Sequence, residues 1–256
     1  MKNTAKRIYL ILILILLYAP IITLVVLSFN NSKTRAKWGG FTGKWYISLF
    51  QNPDIMNALY TTLIIALLSA LIATLIGTVA SLGIQAMKPK MRTFMMGVTN
   101  IPMLNADIVT GISLMLLFVA FRFTLGFSTV LLAHITFNIP YVILSVMPKL
   151  KQTDRSTYEA ALDLGASPAY AFFEVVFPDI MPGVLSGFLL AFTMSLDDFI
   201  ITHFTKGAGI NTLSTLIYSE VRRGIRPSMY ALSTVIFVVV LVVLLIANFR
   251  KQPEKD

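Results

Sequence analysis

Long apolar runs separated by short polar segments set the pattern of this chain. Six of them, near Ile8–Phe29, Asn57–Ala86, Phe94–Phe121, Ser128–Met147, Asp179–Phe204 and Met229–Phe249, are long enough to cross a bilayer as helix, which takes about 20 residues. The pattern predicts an all-α integral membrane protein with six transmembrane helices. Between the fourth and fifth runs lies a segment of a different kind, "STYEAALDLGASPAYAFFEVVFPDIMPG" from Ser156 to Gly183, rich in acids, prolines and capping residues.

Composition supports the membrane reading. Hydrophobic residues make up 56% of the 256 positions and charged residues only 13%, about half the charged fraction of a soluble domain. The net charge of +9 does not mark a nucleic-acid face, because the basic residues sit in short segments between spans and read as topology control. Lys2, Lys6 and Arg7 precede the first span, Lys88, Lys90 and Arg92 follow the second, Lys149, Lys151 and Arg155 follow the fourth, and Arg250, Lys251 and Lys255 follow the last. With the termini inside, these 12 of the 21 basic residues are cytoplasmic, and the other 9, Lys33, Arg35, Lys37, Lys44, Arg122, Lys206, Arg222, Arg223 and Arg226, are external. Because the 12 flank the spans closely, the bias favours cytoplasmic termini and places the Ser156 segment in the cytoplasm. Lys33 and Arg35 then belong to an external segment, Asn30–Met56, whose Trp38, Trp45 and Tyr46 suit a membrane–water interface. The first run reads as a retained span rather than a secretory signal, being too long and lacking a small-residue cleavage site. With no cysteine and two histidines far apart, His134 and His203, neither a disulfide framework nor a metal motif is expected.

Two local patterns add detail. Ser69, Ala73, Gly77 and Ser81 recur every four residues in the second span, a small-residue face expected to pack within the subunit. In the polar segment, Ser156 and Glu159 match a capping box, and Gly165 suits the residue after a helix end. Ser167 and Pro168 suit the start of a second helix, expected to end before Pro178. The product is a helix–turn–helix cassette within a coupling loop, 148–178.

Within this cassette Glu159, Ala160, Ala161, Gly165, Val175, Phe177 and Pro178 resemble the E-A-A-x3-G-x9-I-x-L-P signature of ABC-importer permeases, with Val175 and Phe177 in place of the usual Ile and Leu. The resemblance implies a type I importer permease (MetI-like) fold whose short cytoplasmic coupling helix docks into a separate ATPase subunit. Glu159, Ala160, Ala161, Gly165 and Pro178 are then expected to couple the motor to the spans. The motor is not expected in this chain, since no G-x-x-x-x-G-K-[ST] phosphate loop occurs in it.

Three acids stand in or at the ends of apolar runs: Asp107 in "IPMLNADIVTGISL", and Asp197 with Asp198 in "FTMSLDDFIITHF". A charged side chain at mid-helix costs about 2.5–3.5 kcal/mol on the insertion scale. Asp107 is expected about 20 Å along the third span. Neighbouring helical residues point about 100° apart, so at most one of Asp197 and Asp198 is expected in a pore, the other capping backbone, pairing with an arginine or reaching the outer surface. Carboxylates without embedded Lys or Arg favour a cationic passenger, or are protonated or paired with a second subunit. His134 and Asn138 in "HITFNIPYV" read as helix–helix hydrogen bonding or a Pro140 kink rather than as ligands.

Almost the whole chain resembles PotC-type permeases of spermidine/putrescine ABC importers, through "SFNNS", "GFTGKWY", "ADIVTGISL", "HITFNIPY", "EAALDLGAS" and "FTMSLDDFIITHFTKG". That resemblance implies polyamine import across the cell (inner or plasma) membrane, with Asp107, Asp197 and Asp198 along the substrate pathway. The implied partners are a second homologous permease, an ATPase dimer, an extracellular polyamine-binding protein and membrane lipid. No cofactor, metal or nucleic acid and no bond-making chemistry are expected in this chain. The alternative is a permease of the same type for another solute: a metal chelate, an anion or an amino acid.

Overall fold

The computed structural model describes residues 2–32 and 37–249. Lys33, Arg35, Arg250, Lys251 and Lys255, which entered the charge argument, lie outside the described residues. Among the described residues every regular element is helical. The chain divides into two compact units, one holding the chain up to Met56 together with Ile217 onward, the other Asn57–Leu216.

The first unit contains α1 (Lys2–Ser28), α2 (Lys44–Gln51) and α12 (Pro227–Phe249), with α12 packed against both α1 and α2. The face of α1 is apolar and open to its surroundings from Ile8 to Leu17, as a helix in contact with lipid requires. The turn after α1 is fixed by Asn30, whose side chain donates to the Lys37 carbonyl and accepts from the Ser32 and Gly39 amides. Trp45 donates its indole N–H to the Asn30 carbonyl, and Tyr46 bonds Ser28.

The second unit is built on α3 (Pro53–Ala86, from Asn57 on), α4 (Pro89–Leu104), α5 (Asp107–Ala120), α6 (Phe127–Gln152), α7 (Arg155–Asp163), α8 (Pro168–Ala171), α9 (Phe177–Asp197) and α10 (Ile200–Thr205). The helix α11 (Leu213–Arg223) straddles the boundary between the units. Small residues let α3 and α9 approach α6. A Cβ at Gly77 would stand 2.8 Å from the Val142 Cβ, and one at Gly183 would stand 2.9 Å from the Ser145 carbonyl oxygen. Ala70, Ala73, Val142, Val146, Ile180 and Ala191 close into a buried core at this crossing. The four-residue stripe of α3 is therefore internal packing. Gly183, Gly187, Ala191 and Ser195 form a second such stripe on α9, all buried, which the sequence reading passed over.

Among the described residues four helices are long and apolar enough to cross a membrane: α1 from Lys6, α3, α6, and the run Pro168–Asp197. The pair α4 and α5 makes a fifth if taken as one span, and α12 adds a shorter described apolar stretch, Pro227–Val239.

Four expectations are corrected. The expected third span is not continuous: α4 and α5 meet at a bend of 100°, so Asp107 opens α5 instead of standing partway up a straight helix. Asn105 and Ala106 are extended there. Pro102 weakens the last turn of α4, and Asn and Asp favour helix ends over interiors. The expected fifth span also breaks, with Asp198 extended between α9 and α10. The cap of α7 is Asp154, which accepts from the Ser156 amide at 2.9 Å, so Ser156 lies inside the helix and is not its N-cap. Finally, the second cassette helix does not stop before Pro178. A π-helical turn, Phe172–Val176, joins α8 to α9, and its wider hydrogen-bond ring relieves the clash that proline makes with a tight α-turn.

Candidate functional site

The two broken spans meet. The helix α5 packs on α10, where Gly111 admits Phe204 and Ile201; a Cβ there would lie 3.1 Å from the Phe204 ring. Ile201 in turn packs with Phe118, Ala133 and Phe137 against α6. This brings Asp107, at the start of α5, and Asp197, at the end of α9, to one cleft of about 390 Å³. Phe137, Tyr141, Met194 and Phe199 share its wall. Three lining residues are acidic and, among the described residues, none is basic. The cleft thus offers negative charge and aromatic or thioether surface, a chemistry suited to a cation with apolar stretches.

The three acids are not equivalent. Asp107 and Asp197 are exposed. Asp198 also borders the cleft, but its side chain is only 8% exposed and both oxygens are engaged. One accepts from the Ile201 amide at 3.2 Å, the other from the Thr202 amide and hydroxyl, each at 2.8 Å. From one position before the N-cap residue Phe199, the Asp198 side chain therefore caps α10, supplying an acceptor to N–H groups that the break leaves without helical partners. His134 Nε2 lies 3.4 Å from the same oxygen and 2.9 Å from the Thr202 hydroxyl. Its Nδ1 meets the Ser195 hydroxyl, which lies 3.1 Å from that of Ser69. His134 is thus a helix–helix hydrogen-bonding residue. Ser69, Ser195 and Thr202 were not singled out in this role, because hydroxyls on apolar helices give no distinctive sequence signal. Among the described residues no cluster of ligating side chains fits a metal ion.

At the other end of α9 the turn of the cassette has the geometry that Gly165 suggested. Gly165 takes a φ of +89°, a region open to glycine and strained for most other residues. Its amide bonds the Leu162 carbonyl at 2.9 Å and that of Ala166 bonds Ala161 at 3.1 Å, the paired bonds of a Schellman helix end. Beside this turn Leu164 is 90% exposed, and Tyr170 and Phe173 are largely exposed. Glu159 and Ala160 are exposed and Ala161 is half-buried on α7. The π-turn contacts α7, α8 and α9, and Val176 and Phe177 pack against the core of the bundle.

Residues 84–250, from the end of α3 onward, match the family model described as binding-protein-dependent transport system inner membrane component. The chain belongs to this family. The permease is 40% identical to the putrescine transport system permease protein PotI of Escherichia coli strain K12, over 94% of this chain and 90% of that protein. It is 39% identical to the spermidine/putrescine transport system permease protein PotC of the same strain, over 90% of this chain and 87% of the relative. Among solved structures it is similar to a bacterial ABC transporter involved in the import of the acidic polysaccharide alginate, with a TM-score of 0.71 at 18% identity over 97% of this chain and 93% of that one. Alginate transporter in complex with a pentasaccharide-bound periplasmic protein gives a TM-score of 0.68 at 18% identity, over 98% and 93%. At that identity the likeness concerns the importer-permease fold. The chain is a multi-pass membrane permease subunit, and its family works with binding proteins.

Proposed function

We propose that this permease moves polyamines into the cell as one half of an ABC importer, with Asp107 and Asp197 as the carboxylates of its pathway. The observation that carries the reading is the pair of exposed acids in one aromatic-lined cleft that, among the described residues, has no basic residue. A polyamine is a chain of ammonium groups spaced by methylenes. Each ammonium can pair with a carboxylate or lie over a ring, while the methylenes cover apolar wall. The names of the relatives PotI and PotC agree with this passenger. Asp198 shapes the same wall from its cap position.

The geometry of α9 supports a coupling role for the remaining partners. It runs from the cassette to the cleft, 21 residues or about 30 Å of helix, with its middle locked against α6. An ATPase dimer gripping the cassette through Glu159, Ala160, Ala161 and Gly165 moves a lever whose far end carries Asp197. Pro178, just beyond the π-turn, lies where that lever begins. A second permease completes the pathway, an external binding protein delivers the polyamine, and alternating access exposes the acids to one side at a time. The termini and the cassette are cytoplasmic.

Uptake by the reconstituted complex tests the passenger. Asp107→Asn and Asp197→Asn keep shape and remove charge, and each should lower spermidine or putrescine uptake about tenfold or more with assembly intact. Parental uptake by both variants would remove the polyamine reading. Gly165→Val, which strains the turn by about 1–2 kcal/mol, should uncouple transport while the protein still inserts. A thiol introduced by Ser32→Cys should react with an impermeant reagent outside intact cells, and one introduced by Thr157→Cys should not; the reverse pattern would invert the topology.

A further inference from the structure

His134 is 1% exposed, and transport as proposed above makes no use of it. Its two ring nitrogens reach opposite sides of the break in the fifth span. Nδ1 meets Ser195 on α9, three residues before Asp198, and Nε2 meets Thr202 on α10, four residues after it. Donor counting fixes one side of the ring. The single hydroxyl proton of Thr202 goes to the Asp198 carboxylate, so the Thr202 oxygen accepts from Nε2–H, while Nδ1 and the Ser195 hydroxyl share the bond on the other side. Ser195 lies against Ser69 on α3, whose hydroxyl is within reach of the Ala66 carbonyl at 3.2 Å. The chain of hydrogen bonds links α3, α9, α6 and α10 and ends on the carboxylate that caps α10. Every member is buried or nearly so, where an unpaired polar group is costly and a satisfied network fixes one geometry.

We infer that His134 is a positioning residue for transport. By bracing Ser195 against Thr202 it holds Asp198 as the cap of α10, and so fixes the break that leaves the neighbouring Asp197 carboxylate in the cleft. Without the brace the Asp198 carboxylate keeps its bonds to the Ile201 amide and to Thr202 but loses the adjacent imidazole, and Thr202 loses its tie to α6, so the start of α10 is free to shift toward the water of the cleft. The backbone then rotates Asp197 out of it, since adjacent side chains point in widely different directions. The consequence for uptake rests on the cation-pathway reading; the consequence for the break does not.

The test uses the complete transporter in proteoliposomes and the absence of native cysteine from this chain. The thiol introduced by Asp197→Cys is modified with a small water-soluble reagent, and its modification is read by mass spectrometry of that peptide. Adding His134→Leu should slow the reaction about tenfold, and His134→Gln, which keeps a donor toward Thr202, should restore it to within about threefold of the parent. With Asp197 intact, His134→Leu should raise KM for spermidine about tenfold, and His134→Gln should recover most of it. Equal modification rates with and without His134→Leu would overturn the inference, as would a His134→Gln rate no better than that of His134→Leu. Should His134→Leu fail to assemble, Thr202→Val deletes one arm of the brace while keeping its shape, and should slow modification about threefold; no change there overturns the inference equally. Normal uptake by Asp197→Asn would remove the cation reading alone and leave the labelling comparison standing.

Discussion

The breaks before Asp107 and at Asp198 begin from the same sequence signal, an aspartate in an apolar run, and end differently. Asp107 is the first residue of α5 and its carboxylate is exposed in the cleft. Asp198 sits just before α10, and its carboxylate is consumed by two backbone amides, a hydroxyl and an adjacent imidazole. An acid in a membrane helix must reach water, a passenger or internal donors. Asp107 takes the first course. Asp198 takes the last, because α6 supplies His134 at that depth and α10 supplies Thr202. The fate of each acid is set by what other helices bring to it, not by its own neighbours in the chain.

The largest effect should come from dislodging one break and sparing the other. Gly183→Val places a side chain against the Ser145 carbonyl and the Lys149 stem. Overpacking of this kind costs about 1–3 kcal/mol, and more where backbone must move. It strikes the α6–α9 crossing that carries Asp198 and leaves the α4–α5 bend outside the collision. The purified protein should melt earlier, and a thiol introduced by Asp197→Cys should change reactivity more than one introduced by Asp107→Cys.

Neutralising the two acids in turn sharpens the contrast. Asp198→Asn weakens bonds to a buried charged acceptor and should lower stability by about 1.5–3 kcal/mol, read as a lower melting temperature in detergent. Asp107→Asn should change stability by no more than about 0.5 kcal/mol while depressing uptake. Equal melting temperatures for the two variants would erase the distinction between cap and pathway group. Thr202→Val removes a single hydroxyl from the Asp198 cap and should cost about 1 kcal/mol, measured the same way.

The smallest effect separates a buried cap from one in water. Asp154 caps α7 at the surface, and the hydrogen bond from Ser156 holds its carboxyl below the ordinary aspartate range. A lowered folded pKa means that the contribution is complete above the usual aspartate pKa and fades as pH falls through the lowered value. Amide exchange at Ser156, corrected for its intrinsic pH dependence, should therefore lose protection only at the acidic end of that window. Asp154→Asn should leave a pH-independent level.

The cassette was legible because its information is local. Gly165 needs no distant residue to favour a positive φ, and Ser167 followed by Pro168 opens a helix by itself; Ser167 does accept from the Tyr170 amide. The cap of α7 was displaced by two residues because Asp154 and Ser156 are both good caps, and hydrogen bonding near the start of the helix decides between them. Pro178 misled for a related reason. Proline ends an α-turn, but a π-turn before it accommodates the ring, and the choice between them depends on how α7 and α8 pack beside α9.

What the sequence determined by itself was the number of apolar runs, their helical character, the capped cassette, and the presence of acids that no lipid-facing helix would keep. These follow from short-range physics: backbone hydrogen bonding in hydrocarbon, turn chemistry and the cost of burying charge. The tertiary structure alone decided that two of the runs break at their acids, that Gly183 and Gly187 let α9 seat on α6, and that Asp107 and Asp197 share a cleft while Asp198 is tied to His134. Each depends on groups far apart in the chain meeting at contact distance. His134 and Asp198 are 64 positions apart, and Ser69 and Ser195 are 126 apart. No pattern along a single helix encodes which of its polar groups will find a partner on another.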